Sequence, residues 1–455
     1  MATGPGHGQC HHLWPADGHR RQHRLRASCP RTHGDAADLS ADLADAARSA
    51  ARRFGTPLYL YDLPRLRADA RAIREAFPDP WVRLYSLKAN GLPALVHEIV
   101  AEGFAASAVS RGELDIARRA DVLPASTVLE GIGKTTADLA AAARLSAAGT
   151  PLLWVSLESA EDAAALAATA AAAGVRIDAL VRINPAVAPE TLHGLAVGAP
   201  SSKFGVLPEE LLSVIEAGGG PDGPIRWRGL HLHVGSQLGA VDAWRSAFRV
   251  GLRLLELQRA ELNDFDTLDA GGGFPVAYDD QPEGVPAIAR FGAEAKAELE
   301  QLPIGVHPSR LAVEPGRAVV AGSGWLIGRV LHVRRREPPI VVLDTGMTEL
   351  VRPAMYGAMH PMVALTSLGG PVDGDDPGEV SMMRVDGPVC ESTDSFGETA
   401  LPPLERGDVV AIGMVGAYGS SMFSTYNGRP RPPEIAWDGD RLTVLRRRGT
   451  IRSLP

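Results

Sequence analysis

The chain has 455 residues, 45% of them hydrophobic and 22% charged, with a formal net charge of −8. That length exceeds what one core organises, so two domains are expected; the acidic balance excludes broad binding to nucleic acid or an anionic membrane but allows a local basic pocket for an anionic cofactor. No uncharged apolar run approaches the roughly 18 residues of a membrane span, and three widely spaced cysteines, Cys10, Cys29 and Cys390, make no disulfide framework and suit a reducing cytoplasm.

Residues 1–35 hold six of the 13 histidines, many arginines and no apolar stretch of the secretory kind. They read as a disordered extension, and no metal site is expected from Cys10, His11, His12, Cys29 and His33, whose spacing matches no common zinc pattern. From residue 81 the chain alternates. Apolar runs at Trp81 to Leu87, Phe104 to Val109, Ser126 to Leu129, Leu152 to Leu157, Ile177 to Ile183, Trp227 to Val234, Phe265 to Leu268 and Arg310 to Val313 read as eight strands. Helix-period stretches lie between most of them, at Leu92 to Glu102, Gly112 to Ala120, Thr136 to Ala147, Ala160 to Ala173, Pro208 to Ala217 and Val241 to Glu261. Eight strand-helix units in about 240 residues predict a closed (β/α)₈ TIM-type barrel with parallel strands and right-handed crossovers. After residue 320 short strands broken by Gly and Pro, among them Ile340 to Leu343, Val409 to Met414 and Arg441 to Leu445, predict an all-β C-terminal domain.

Barrel enzymes place their chemistry at the carboxyl ends of the strands. Here the first run leads into Lys88, the sixth into His233-Val234-Gly235-Ser236-Gln237, the seventh into Asp269-Ala270-Gly271-Gly272-Gly273 and the eighth into Glu314-Pro315-Gly316-Arg317. Four lysines stand against 42 arginines, so a lysine kept at a strand end points to a need for an amine: a guanidinium stays protonated, whereas a desolvated amine attacks an aldehyde. A glycine loop, a serine and an arginine beside it are donors suited to a phosphate. Each alone has a plainer reading, as a turn, a surface lysine or a structural histidine; together on one rim they indicate a site. Gly131-Ile132-Gly133-Lys134-Thr135-Thr136 is not a nucleotide phosphate loop, because that pattern requires a glycine where Val128 stands.

With these motifs, and with Ser202-Lys203-Phe204-Gly205, Arg352-Pro353-Ala354-Met355-Tyr356-Gly357, Gly387-Pro388-Val389-Cys390-Glu391-Ser392, Ala417-Tyr418-Gly419 and Asn427-Gly428-Arg429-Pro430-Arg431-Pro432, the chain resembles the fold-type III pyridoxal phosphate (PLP) decarboxylases from about Phe54 to Glu434. The resemblance implies an alanine racemase-like architecture: residues 36–65 joining the β domain, a PLP-binding barrel at 66–320 and the β domain at 321–455. It implies that Lys88 holds PLP as a Schiff base, that His233 stacks on its ring, and that Ser236, Gly271, Gly272, Gly273, Gly316, Arg317 and Tyr418 hold its phosphate. Glu314 would face the pyridine nitrogen and keep it protonated, so that the ring accepts electrons as CO₂ leaves; a racemase of this type places an arginine there.

It further implies a homodimer whose active sites take residues from both subunits, the donors being Cys390 as the acid that protonates the carbanion and Glu391, Arg352 and Tyr356 as substrate ligands. Alone, such a cysteine is more often a core residue; its place in Cys390-Glu391-Ser392 reverses that. Arg317, Arg352 and Tyr356 suit a distal carboxylate and Glu391 an ammonium, and Tyr418 also borders the substrate, which makes meso-diaminopimelate the expected amino acid and L-lysine and CO₂ the products. A paralogue acting on another amino acid, or a non-catalytic PLP carrier, would share the barrel, but a carrier is expected to lack the β domain with Cys390 and Tyr418. Two departures bear on the substrate: Ser107 stands where the family usually has an acidic residue, and Thr191 to Pro200 differs from lysine-pathway enzymes.

Overall fold

The computed structural model describes residues 39–187, 191, 198, 202–262, 264–278, 285–303, 305–372 and 378–454. The expectations for residues 1–35, with Cys10 and Cys29, and most of Thr191 to Pro200 lie outside the described residues.

The first helix, α1 (Ala41–Phe54), begins at Ser40, whose hydroxyl accepts from the Leu43 amide at 3.3 Å. Its buried Leu43, Ala44, Ala47, Ala50 and Ala51 pack on Leu58, Leu60, Trp325, Ile327 and Ala411 of the β domain. Strand β1 (Leu58–Asp62) follows, and the Asp62 carboxylate accepts from Arg65 N to start α2 (Leu63–Ala76), with Pro64 in the first turn.

The barrel is built from β2 (Val82–Ser86), α3 (Pro93–Ala101), β3 (Ala105–Ala108), α4 (Arg111–Arg119), β4 (Thr127–Leu129), α5 (Thr136–Ala147), β5 (Trp154–Leu157), α6 (Ala160–Ala172), β6 (Ile177–Ile183), α7 (Leu211–Ala217), β7 (Ile225–Leu232), α8 (Asp242–Gln258), β8 (Thr267–Asp269), α9 (Ile288–Glu300) and β9 (Arg310–Val313). Every neighbouring pair is parallel and β2 closes on β9. The eight strands match the eight apolar runs to within a few residues. Three early α-helices start where a short strand gives way to a hydroxyl side chain that caps the first turn: Ser110 for α4, Thr135 for α5 and Ser159 for α6. After β9 the chain leaves the barrel, so the helical place beside α9 is taken by α2, which enters from ahead of the first strand.

Beyond β9 come α10 (Arg317–Val320), β10 (Gly324–Arg334), β11 (Ile340–Leu343), α11 (Arg352–Tyr356), β12 (Met362–Ala364), a small ribbon of β13 (Thr366–Ser367) and β14 (Gly370–Pro371), then β15 (Ser381–Asp386), β16 (Ser395–Leu401), β17 (Val409–Ile412), β18 (Glu434–Trp437) and β19 (Leu442–Arg446). The main sheet runs β16-β15-β11-β10-β1-β18-β19, with β17 bridging β10 and β12. The all-β domain expected after residue 320 is found as a mostly-β one, with the short helix α11 among its strands, and β1 completes it from the other side of the barrel in sequence, antiparallel to β10 and parallel to β18.

The β domain grips the turn that carries Lys88. The Tyr418 amide and Ser421 hydroxyl donate to Ala89 O at 2.8 and 3.1 Å, and Asn90 Nδ2 donates to Gly416 O and Tyr61 Oη at 2.9 and 3.1 Å. Among the described residues no helix is long and apolar enough to cross a membrane.

Candidate active site at the barrel rim

Alternate residues of a barrel strand face the interior. At the amino-terminal level Leu84, Val128, Trp154, Leu180 and Ala312, from five strands, pack into one small buried cluster that can lie only inside the barrel. Two residues further along the same strands stand Ser86, Glu130, Ser156, Arg182 and Glu314, all buried. The interior therefore turns from apolar to polar in one step towards the carboxyl rim. His231 of β7 and Asp269 of β8 join this layer, 2% and 0% exposed. His231 Nε2 lies 2.9 Å from Glu314 Oε1, its Nδ1 2.8 Å from Ser156 Oγ, and Arg182 pairs with Glu158 at 2.9 Å.

Above this layer is Lys88, exposed, in the turn two residues beyond β2, and close enough to Glu113, His231 and His233 to bear on their charge. His233 accepts at Nδ1 from the Gly272 amide at 3.2 Å, which leaves Nε2 to carry the proton of the neutral ring. Burial, then the nearby Lys88 and Arg182 charges, holds its pKa well below the usual value, so the ring is neutral.

The glycine loop after β8 has no room for side chains: a Cβ on Gly271 would lie 2.0 Å from Leu232 O, one on Gly272 2.2 Å from Glu314 O and one on Gly273 2.5 Å from Gly235 O. Gly271 and Gly273 also have φ of 70° and 100°. Of the loop amides expected as phosphate donors, two are already engaged. Gly271 N donates to Asp269 Oδ1 at 2.9 Å and Gly272 N to His233, so among the described residues it is the Gly273 amide that keeps no acceptor. At the next strand end, the first turn of α10 beyond Gly316 leaves the Arg317 and Ala318 amides without helical acceptors, while Val319 N donates to Gly316 O at 3.1 Å.

Arg317 is 5% exposed and donates to Tyr278 Oη at 2.9 Å and Ser236 Oγ at 3.1 Å, with its guanidinium 4.8 Å from the centre of the Tyr418 ring. Arg352 is 4% exposed, 4.5 Å over the Tyr278 ring, with Nη1 2.9 Å from His360 Nε2; His360 Nδ1 in turn meets Gly413 O at 2.9 Å. Burial lowers the His360 pKa to about 3, so the imidazole is neutral: with Nδ1–H donated to Gly413, its Nε2 accepts from Arg352. Burial works against both guanidinium charges; Tyr278 and Tyr418 outweigh it at Arg317, while at Arg352 burial and the neighbouring Arg317 prevail. Tyr356 is half-buried and near enough to favour both charges. Tyr418 sits at φ 59°, an uncommon conformation for a bulky residue. Among the described residues no carboxylate pairs with Arg317 or Arg352.

Two expectations about placement change. Arg352 and Tyr356 belong to the rim of their own chain, through Tyr278, Arg317 and His360, rather than being offered across a dimer. Cys390 and Glu391 are not brought to that rim: both are exposed, and Glu391 accepts from Tyr426 Oη at 2.7 Å. Tyr278, His360, Glu130 and His231 carry much of the geometry and were not singled out from sequence. The signal that could have found Glu130 and His231 is the two-residue step from an apolar interior position, Val128, and from the rim residue His233. Lys134 is no phosphate ligand; its side chain is 1% exposed and pairs with Asp162 at 2.9 Å.

A lysine, a side-chain-free loop, a serine and an arginine on one rim, above a buried carboxylate, fit PLP in every chemical part: amine for the aldehyde, donors for the phosphate, anion for the pyridinium. The fold and site define a barrel-type PLP enzyme. The chain belongs to the pyridoxal-dependent decarboxylases: residues 63–321 match the family described as "Pyridoxal-dependent decarboxylase, pyridoxal binding domain". It is 36% identical over 410 residues to the diaminopimelate decarboxylase of Deinococcus radiodurans, covering 90% of this chain and 97% of that one, and 32% identical to that of Helicobacter pylori strain J99, covering 88% and 95%. Among solved structures it resembles the Helicobacter pylori diaminopimelate decarboxylase complexed with L-lysine (TM-score 0.81, 30% identity, 89% of this chain and 97% of that one). It also resembles the Vibrio vulnificus lysine/ornithine decarboxylase complexed with putrescine (TM-score 0.73, 27% identity, 88% and 100%).

Proposed function

We propose that this decarboxylase acts on meso-diaminopimelate, releasing CO₂ and L-lysine. The observation that carries the reading is the pair of buried guanidiniums, Arg317 and Arg352, which share Tyr278 and have no carboxylate partner among the described residues. Two buried cations on one rim call for two anionic groups, since a buried charge is stable only when paired. The cofactor phosphate is one, next to Arg317 and Ser236; the distal carboxylate of the substrate is the other, next to Arg352 and Tyr356. Plain diamino acids offer no such carboxylate.

In this reading Lys88 anchors PLP, His233 lies against its ring, and Ser236, Gly271 to Gly273, Gly316, Arg317 and Tyr418 form the phosphate end, with Gly271 and Gly272 shaping the loop and Gly273 supplying the open amide. When bound, PLP supplies an aldehyde for amine exchange and a protonated ring that accepts the electrons left as CO₂ departs. Glu314 keeps that ring nitrogen charged. Cys390 returns a proton to the substrate carbon and Glu391 meets the distal ammonium. Both are exposed on the β domain, which supports a homodimer in which they complete the partner's site. We read residues 66–320 as the cofactor barrel and 321–455, completed by 36–65, as the domain that supplies this second set. The free, exposed Cys390 suits the cytoplasm.

The test is kcat/KM for CO₂ release across diaminopimelate, lysine, ornithine, arginine and glutamate. The expected result is a preference for diaminopimelate; a preference for lysine or ornithine would overturn the substrate while leaving the decarboxylase intact.

A further inference from the structure

The polar layer under the cofactor site contains more carboxylate than one pyridinium requires. Glu130, Asp269 and Glu314, 3%, 0% and 4% exposed, each bring an oxygen, and His231 a ring nitrogen, to within 4.8 Å of one another. The side chains of Glu130 and Asp269 both meet Glu314. Two of these carboxylates already hold a donor on their outer oxygen: Ser107 Oγ donates to Glu130 Oε2 at 2.9 Å and the Gly271 amide to Asp269 Oδ1 at 2.9 Å. The inner oxygens, Glu130 Oε1 and Asp269 Oδ2, have no donor of their own. Carboxylates this close and this dry do not all ionise; protons between them satisfy the orphaned oxygens and remove the repulsion together.

We propose that Glu130 is a positioning residue working as a neutral carboxylic acid, donating its proton to Glu314 so that Glu314 is the single anion presented to the pyridine nitrogen. It thereby occupies, from β4, the place that Ser107 leaves without a carboxylate on β3, and Ser107 orients it. This rests on the reading that Glu314 faces that nitrogen.

Desolvation first, then the Glu314 charge, raises the Glu130 pKa to about 8, against which His231 and Ser107 act; Asp269 is raised in the same direction by burial, Glu314 and Glu130. His231, lowered to about 4 by burial, with the Arg182 and Lys88 charges acting in the same direction against Glu130 and Glu158, brings no charge.

The experiment uses the holoenzyme loaded with ¹⁵N-labelled PLP, reading the nitrogen by NMR and the acid by the carboxylic C=O infrared band, on either side of pH about 8. Wild type is expected to show a protonated ring nitrogen and an acid band that fades as pH rises through about 8. Glu130→Gln, which keeps a neutral donor, is expected to lose that band and keep the protonated nitrogen. Glu130→Leu, which removes the donor, is expected to shift the nitrogen towards its unprotonated signal, with circular dichroism verifying the fold. The proposal is overturned if the fading band survives in Glu130→Gln, if Gln and Leu behave alike, or if metal analysis finds a stoichiometric divalent cation lost in Glu130→Gln. An unprotonated nitrogen in wild type, with the Glu130 acid band present, would instead overturn the assignment of Glu314.

Discussion

Replacing Arg352 by methionine separates catalysis from folding. Methionine keeps the unbranched stem and removes the charge. In the ligand-free chain Arg352 has a hydrogen bond to His360 at 2.9 Å and a ring contact with Tyr278 at 4.5 Å, together about 1.5 to 3 kcal/mol. Against these stands the desolvation of a guanidinium that is 4% exposed and lacks a carboxylate, a cost of several kcal/mol. The melting temperature of Arg352→Met is therefore expected to equal or exceed that of wild type. Towards a substrate with a distal carboxylate the variant loses a desolvated charge pair, about 2 to 5 kcal/mol of transition-state stabilisation, or roughly 30-fold to several-thousand-fold in kcat/KM. Lysine, with nothing to place there, should be indifferent to the change. The assay is CO₂ release from diaminopimelate and from lysine, alongside thermal melts of both proteins. Equal losses on both substrates, or unchanged turnover of diaminopimelate, would refute the reasoning.

Lys88→Ala is expected to abolish borohydride-reducible attachment of PLP; a reducible adduct on Lys134, Lys203 or Lys296 would show that the amine was misassigned. Mixing Lys88→Ala with Cys390→Ala chains should regenerate about one quarter of the wild-type sites if each site takes Lys88 from one chain and Cys390 from the other; no recovery after demonstrated exchange would exclude shared sites. Glu130, whose pKa rises from 4.5 in the free state to about 8 by burial, favours the folded state fully below about 4.5 and progressively loses that advantage as pH rises through about 8. At about 1.4 kcal/mol per unit this amounts to a few kcal/mol, so Glu130→Gln should flatten the fall in melting temperature over that interval, and parallel curves for the two proteins would contradict it.

The barrel was legible because its strands are continuous apolar runs with capped helices between them, a pattern that burial on both faces imposes. Helices α1, α2 and α9 were not singled out. Their buried residues do recur at helical spacing, as Leu43, Ala44, Ala47, Ala50 and Ala51 in α1, but the buried stripe is largely alanine among arginines and shows little apolar contrast in sequence. The rim was legible wherever a motif ends a strand, as at Lys88, His233, Gly271 and Glu314. Tyr278 and His360 were not, because the Arg317–Tyr278–Arg352–His360 chain joins three separate stretches of sequence and exists only once the barrel and β domain meet. Arg352 was expected from a partner subunit because its motif lies in the β-domain sequence; its side chain stands at the barrel rim of its own chain, over the Tyr278 ring. Ser107 read as a loss, and only the closure of β3 on β4 reveals Glu130 beside it.

The fate of the substrate is the most direct test of decarboxylation of diaminopimelate. Purified holoenzyme given meso-diaminopimelate, with CO₂ and amino acid products quantified together, should yield CO₂ and L-lysine in equal amounts and none of either when Lys88 is replaced by alanine. CO₂ released instead from lysine or ornithine with the corresponding diamine as product, and none from diaminopimelate, would contradict it.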